Sequence, residues 1–226
     1  MNQLKMNDRT LNILKNFSSI NQSIVFRPGK TIATISPGKK IYAKANIEDE
    51  ISDEFAIYEL PRLFGVLALI PEYKIEIDDQ KLCISSDKES RSINYGFADP
   101  EHIMQPPVNG ISMTKTDVSF VLTNKALSAA MKAASVLGMP EIAITGDGEN
   151  IFIETSNSAK PSNDIYRDNI GEFEGSKKRF KMIFKVENLK MLPDDYKVKI
   201  SFKKLAQFVS KDVEYFIVVE KNSTVD

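Results

Sequence analysis

The chain says the same thing twice. Phe55-Ala-Ile-Tyr-Glu-Leu leads through Leu63, Leu67 and Ile70 to Pro71-Glu-Tyr-Lys-Ile-Glu-Ile. Phe180-Lys-Met-Ile-Phe-Lys leads through Leu189 and Leu192 to Pro193-Asp-Asp-Tyr-Lys-Val-Lys-Ile. Upstream, Ile32-Ala-Thr-Ile-Ser-Pro-Gly-Lys-Lys-Ile-Tyr-Ala is echoed by Ile142-Ala-Ile-Thr-Gly-Asp-Gly-Glu-Asn-Ile-Phe-Ile, and a helical segment precedes each. Strand, short apolar helix, Pro-acid turn and strand recur in one order, which implies two similar domains in tandem. Within 226 residues each half is long enough to bury its own core.

Periodicity predicts the elements. Thr10–Ile20 reads as a helix with Leu11, Leu14 and Phe17 on its apolar face and Asp8 or Thr10 as its cap. Strands are expected at 23–27, 30–36, 40–46 and 55–59, with Pro28-Gly29 and Pro37-Gly38 as turns. Pro61 suits the first turn of a second helix, and strands follow at 73–77, 81–85 and 90–97. Residues 99–116 carry Pro100, Pro106, Pro107 and Gly110 without a period, and read as a linker between domains at 1–98 and 117–226. The second half opens with a strand at Phe120. Thr123 or Asn124 caps a helix that runs to Leu137 and is closed by Gly138. Strands follow at 141–145, 150–155, 163–169 and 179–184, then a short helix at 186–192 and strands at 196–202, 206–210 and 214–220. Each half is then an antiparallel sheet system with two helices on one face, in the α+β class. An extra leading strand marks only the second half.

Net charge is −1, so the chain is not uniformly basic, but the charges are unevenly placed. No acid lies between Asp8 and Glu48, a stretch carrying Arg9, Lys15, Arg27, Lys30, Lys39, Lys40 and Lys44. None lies between Asp117 and Glu141, where Lys125, Ser128, Lys132 and Ser135 share one helix face. Solvated helices usually mix signs, because Glu–Lys pairs are mildly stabilising. Losing the acids twice, at equivalent places in a repeat, points to a polyanion contacted through its phosphates without reading of sequence.

Catalytic constellations are missing from the sequence. His102 is the sole histidine and falls in the linker; Cys83 is the sole cysteine, which fits a reducing cytosol. No metal-ligand spacing or nucleophile–base set is evident. Gly146-Asp-Gly148 reads as a hairpin turn, not a phosphate loop, since no Lys-Ser/Thr follows. No apolar run approaches the ~20 residues of a membrane span, and the N-terminal residues lack a signal-peptide core. A duplicated scaffold of this kind suggests a ring or platform, not an enzyme.

Several segments, in order from about residue 6 to residue 223, resemble the DNA polymerase sliding clamp of T4-type bacteriophages. They are Thr10-Leu-Asn-Ile-Leu-Lys-Asn-Phe-Ser-Ser-Ile-Asn, Ala43-Lys-Ala-Asn-Ile, Phe55-Ala-Ile-Tyr-Glu-Leu with Phe64-Gly-Val-Leu-Ala-Leu, Glu141-Ile-Ala-Ile-Thr and Leu189-Lys-Met-Leu-Pro-Asp-Asp-Tyr-Lys. The resemblance implies a DNA-clamp fold with sheets outside and helices inside, and a homotrimeric ring around duplex DNA. It implies no catalytic activity and no cofactor. Its implied partners are the replicative polymerase's tail peptide, an ATP-driven clamp loader and phage late-transcription factors, in the cytoplasm of an infected bacterium. Lys15, Lys132 and Lys190 fall on family lysines. With Lys125, Arg9 and Arg62 they form the expected DNA-facing set, while Ser135 stands where a family member carries a basic residue. Ile103, Met104 and Val108, apolar residues in the linker, are the expected partner pocket, and 90–97 and 163–169 the expected strands joining subunits. The competing reading is a duplicated β-rich protein-binding scaffold that does not encircle DNA.

Overall fold

The computed structural model describes residues 2–4, 6–86, 88, 90–160 and 164–226, without the side chain of Asn2. The chain divides into two compact units, Met1–Val108 and Asn109–Asp226.

In the first unit the elements run β1 (Asn2–Leu4), α1 (Asp8–Ile20), β2 (Ile24–Phe26), β3 (Gly29–Ile35), β4 (Ile41–Ile51), β5 (Phe55–Ile57), α2 (Leu60–Ala68), β6 (Lys74–Asp78), β7 (Lys81–Ser85) and β8 (Ser92–Gly96). Strands β1, β6, β7 and β8 form one antiparallel sheet in that order, and β3–β4 and β2–β5 are antiparallel pairs. Helix α1 packs on β3, β4 and α2 through Ile13, Leu14, Phe17 and Ile20. Its cap is Asn7, not Asp8 or Thr10. Asn7 Oδ1 accepts from the Thr10 N–H at 2.8 Å. Asp49 on β4 accepts from the Asn7 N–H at 3.0 Å and from the Thr10 hydroxyl at 2.6 Å, which buries Thr10 and rules it out as a cap. That bond also explains why β4 continues past its expected end at Asn46: Ile47 and Ile51 stay buried while Glu48 and Glu50 face solvent.

The second unit holds β9 (Val118–Leu122), α3 (Asn124–Leu137), β10 (Glu141–Gly146), β11 (Asn150–Ser156), β12 (Arg167–Glu172), β13 (Glu174–Gly175), β14 (Phe180–Lys185), β15 (Tyr196–Ser201), β16 (Leu205–Val209), β17 (Val213–Val218) and β18 (Thr224–Val225). One sheet runs β12-β11-β10-β14-β18, the other β13-β9-β15-β16-β17. Thr123 Oγ1 caps α3 by accepting from the Ala126 N–H at 3.2 Å, and Gly138 ends it in the left-handed region at φ 63°. Gly175 lets β13 approach β9, since a Cβ there would stand 2.2 Å from the Asp117 carbonyl oxygen. Asn163, the start of the strand expected at 163–169, lies outside the described residues, as do Pro161 and Ser162 before it.

Two differences from expectation concern the repeat. The first unit also has a leading strand: β1 pairs with β6 (Leu4 opposite Ile75) as β9 pairs with β15 (Leu122 opposite Tyr196). The repeat is therefore closer than the sequence suggests. The second short helix of the second unit, expected at 186–192, is only a 3-10 turn at Val186–Asn188. The helix fails where Leu192 begins. Its carbonyl accepts from the Tyr196 hydroxyl and its N–H donates to the Tyr215 oxygen at 3.2 Å, while Pro193 disfavours a helical residue before it. Segment α2 meets no such competition, with Pro61 in its first turn and Leu60, Leu63 and Leu67 buried.

Candidate nucleic-acid interface

The two long helices owe their solvent faces to the same rule. Burial takes the apolar stripe, and what remains is set by the residues between. On α1 the exposed side chains include Asn12, Lys15 and Ser19, with Asp8 in the first turn. On α3 Lys125, Lys132 and Ser135 are exposed, Ser128 is half-buried, and the Ser128 hydroxyl donates to Asn124 Oδ1 at 3.1 Å. Helix α3 rests on β10, β11 and β12 through Leu127 and the small residues Ala126, Ala130 and Ala134, which bring it close to the sheet. Lys132 lies seven positions on from Lys125, so their Cα atoms are about 10 Å apart along one side of the helix. Lys190 is exposed just after the 3-10 turn that occupies the place of a second helix in the second unit. Arg9 is half-buried in the first turn of α1.

Arg62 has different surroundings. Its guanidinium lies 5.9 Å from the centre of the Tyr95 ring on β8 and 3.8 Å from Glu59. The Tyr95 hydroxyl donates to the Glu59 carbonyl at 3.1 Å. Burial raises the Tyr95 pKa, Arg62 opposes that and Glu59 adds to it. The structure therefore sets Arg62 beside a sheet edge.

The three apolar residues of the connection do not come together. Ile103 is 5% exposed and packs with Val25, Ala56 and Ala98, pinning the 3-10 turn at Pro100–His102 to β2 and β5. Met104 is 41% exposed and, with Pro37, Tyr58 and His102, lines a cleft of about 580 Å³ whose other wall is the largely polar run Ser18–Ser23. Val108, 86% exposed, is absent from that lining. Tyr58, an exposed aromatic on the rim of this cleft, was missed by sequence reasoning; its place between the buried run Phe55–Ile57 and the buried Leu60 is the only signal. Among the described residues no group of three or more His, Cys, Asp or Glu side chains is placed to hold a metal ion, and no helix is long and apolar enough to cross a membrane.

Residues 5–104 match the family model described as DNA polymerase processivity factor, and residues 119–221 that described as gp45 sliding clamp, C terminal. The sliding clamp of Escherichia phage RB69 is 30% identical over 234 residues, covering 99% of this chain and 100% of that protein. The chain belongs to the sliding-clamp family of DNA polymerase processivity factors. The sliding clamps of Enterobacteria phage T4 and Vibrio phage KVP40 are each 28% identical, covering 99% and 96% of this clamp and 100% and 99% of theirs. Among solved structures, A. fulgidus PCNA bound to the C-terminal region of FEN-1 superposes with a TM-score of 0.71 at 16% identity, covering 98% of this clamp and 99% of that chain. PCNA from Thermococcus kodakaraensis gives 0.69 at 15%, covering 96% and 99%. At such identities the likeness is one of fold. Function as a DNA polymerase sliding clamp thus rests on the family, and the clamp fold on both.

Proposed function

We propose that this clamp works as a closed homotrimer around duplex DNA, without catalysis of its own, and that Lys15, Lys125, Lys132 and Lys190 contact phosphates as it slides. The carrying observation is the pair of helix faces, α1 and α3, that expose lysine and small polar side chains at matching places in two units, with only Asp8 as an acid. Sliding requires contacts that are few, indifferent to sequence and screened by salt, and exposed lysines interleaved with Ser and Asn meet that need. Open strand edges at β8 and β12 supply a route to closure, because an unpaired edge is a template for another chain. In the cleft they line, Met104 and Tyr58 offer two exposed apolar side chains to a short hydrophobic tail of a polymerase; a relative of the same fold, A. fulgidus PCNA, is bound to the C-terminal region of FEN-1. An ATP-driven loader is the partner that would open the ring, and late-transcription factors share the tail-binding mode.

The test is a double charge reversal. Lys125→Glu with Lys132→Glu should leave mass and thermal stability unchanged. It should cut processive synthesis several-fold near ~0.05 M salt, with the defect changing as salt rises to ~0.2 M. Wild-type clamp loaded on nicked circular DNA should leave when the circle is linearised. A double variant as processive as wild type would overturn the assignment of this face.

A further inference from the structure

Strands β8 and β12 each end a sheet, with one side unpaired among the described strands. Their side chains alternate in the same sense. On β8, Ile93 and Tyr95 are half-buried while Ser92, Asn94 and Gly96 are exposed. On β12, Asp168 and Ile170 are half-buried while Arg167, Asn169 and Gly171 are exposed. Both half-buried sets face a helix: Tyr95 meets Arg62 of α2, and Asp168 and Ile170 line a cleft with Lys125, Ala126 and Ala129 of α3. Joined edge to edge between two copies, the two sets would fall on one side of a continuous sheet.

The chemistry beyond each edge is complementary. Past β8 lies a cleft of about 330 Å³ lined by Tyr58, Glu59, Arg62, Tyr95 and Phe97, with the Arg62 side chain 73% exposed. Its contact with Glu59 at 3.8 Å is a solvated pair between neighbouring turns, of little energetic weight, so the guanidinium is available for a better partner. Past β12 stands the Asp168 carboxylate, which accepts from the Tyr166 hydroxyl at only 3.4 Å. Lys125 lines the same cleft.

We infer that Arg62 is a subunit-joining residue: when β12 of a second copy adds to β8, the Arg62 guanidinium pairs with that copy's Asp168 and its Ile170 enters the cleft between Tyr58 and Tyr95. The inference rests on the ring reading above and gives it a specific ion pair. It also removes Arg62 from the DNA-facing set. An edge pairing alone is permissive in register and partner, whereas a desolvated Arg–Asp pair flanked by an apolar anchor fixes both.

Sedimentation over a concentration series tests it. Arg62→Glu and Asp168→Arg should each raise the concentration at which the assembly forms by about tenfold or more, and the double variant should return it to near the wild-type value, as paired close charges do in double-mutant cycles. Melting temperatures of the isolated subunits, measured below the assembly concentration, show that folding is intact. An assembling wild type indifferent to both reversals, or a double variant no better than the singles, overturns the pairing and leaves the ring standing. A wild type that stays monomeric throughout overturns both.

Discussion

Two buried hydroxyls decide the course of the segment that carries Lys190. Tyr196 is 1% exposed and Tyr215 0%; their rings meet edge to face, 6.0 Å apart. Between residues 186 and 195 only Leu189 is buried, so little apolar packing fixes this stretch. Its ends are tied by the Val186 N–H to the Pro140 carbonyl and by Asp195 to the Asn124 N–H, and its middle by the backbone of Leu192, bonded through its carbonyl to Tyr196 and through its N–H to Tyr215 at 3.2 Å. Tyr215→Phe keeps the ring and strands the Leu192 N–H, a loss of about 1–2 kcal/mol. Tyr196→Phe should cost less, about 1 kcal/mol, because the same carbonyl also accepts from the Asp194 N–H at 2.9 Å. Both changes act on one residue, so the double variant should fall short of the sum. For a unit of this size 1 kcal/mol lowers the melting temperature by about 4 °C. Thermal unfolding should show such shifts, and amide exchange should speed up in 186–195 while α3 stays protected. Melting within 1 °C of wild type together with unchanged exchange in that segment would refute the claim that these hydroxyls, and not local propensity, hold it in place.

Two further outcomes follow from single side chains. Burial works to raise the Asp117 pKa, but bonds from Lys115 at 2.6 Å and the Phe202 N–H at 2.8 Å, helped by Ser201, hold it below the ordinary carboxylate value. The stabilisation is complete above the unfolded-state value and lost as pH falls through the lower folded one. Asp117→Asn should therefore melt about 2–4 °C below wild type at pH 7, with the gap closing below about pH 4; a constant gap down to pH 2 would contradict this. Met104→Ser should weaken a hydrophobic polymerase C-terminal peptide about three- to tenfold by fluorescence anisotropy, with Val108→Ser, outside the cleft, as the silent control. Equal affinities for all three proteins would move the peptide site elsewhere.

Where sequence was enough, a local rule agreed with the global packing. Helix α3 is legible because Thr123, a spaced apolar stripe and Gly138 all agree. The lysine-bearing faces are legible because missing acids need no tertiary information. Three features were not. Strand β1 is three residues long and is a strand only because β6 is there to pair with it. The end of β4 carries Glu48-Asp-Glu, poor strand formers held in place by Ile47, Ile51 and the Asp49 bonds to the α1 cap. The segment 186–192 has helical spacing, but residues 196 and 215 take its backbone bonds. Within the connection, apolar composition identified Ile103, Met104 and Val108, yet only packing separates a pin, a cleft wall and an exposed side chain.

The leading strands have a consequence for how the chain reaches its fold. Leu4 waits for Ile75, and Val118 waits for Ile200, so each unit closes a sheet across more than 70 residues. Such distant pairings form late and slow folding, because loop-closure entropy is lost before the contacts reward it. Until then β6 and β15 each present a vacant edge, and the two vacancies are alike because the units are repeats. A leading strand from either unit, or from a neighbouring chain on a crowded polysome, meets two similar docking lines. Refolding at high concentration should therefore pass through strand-exchanged species, and their yield should rise with protein concentration while the rate of correct closure does not.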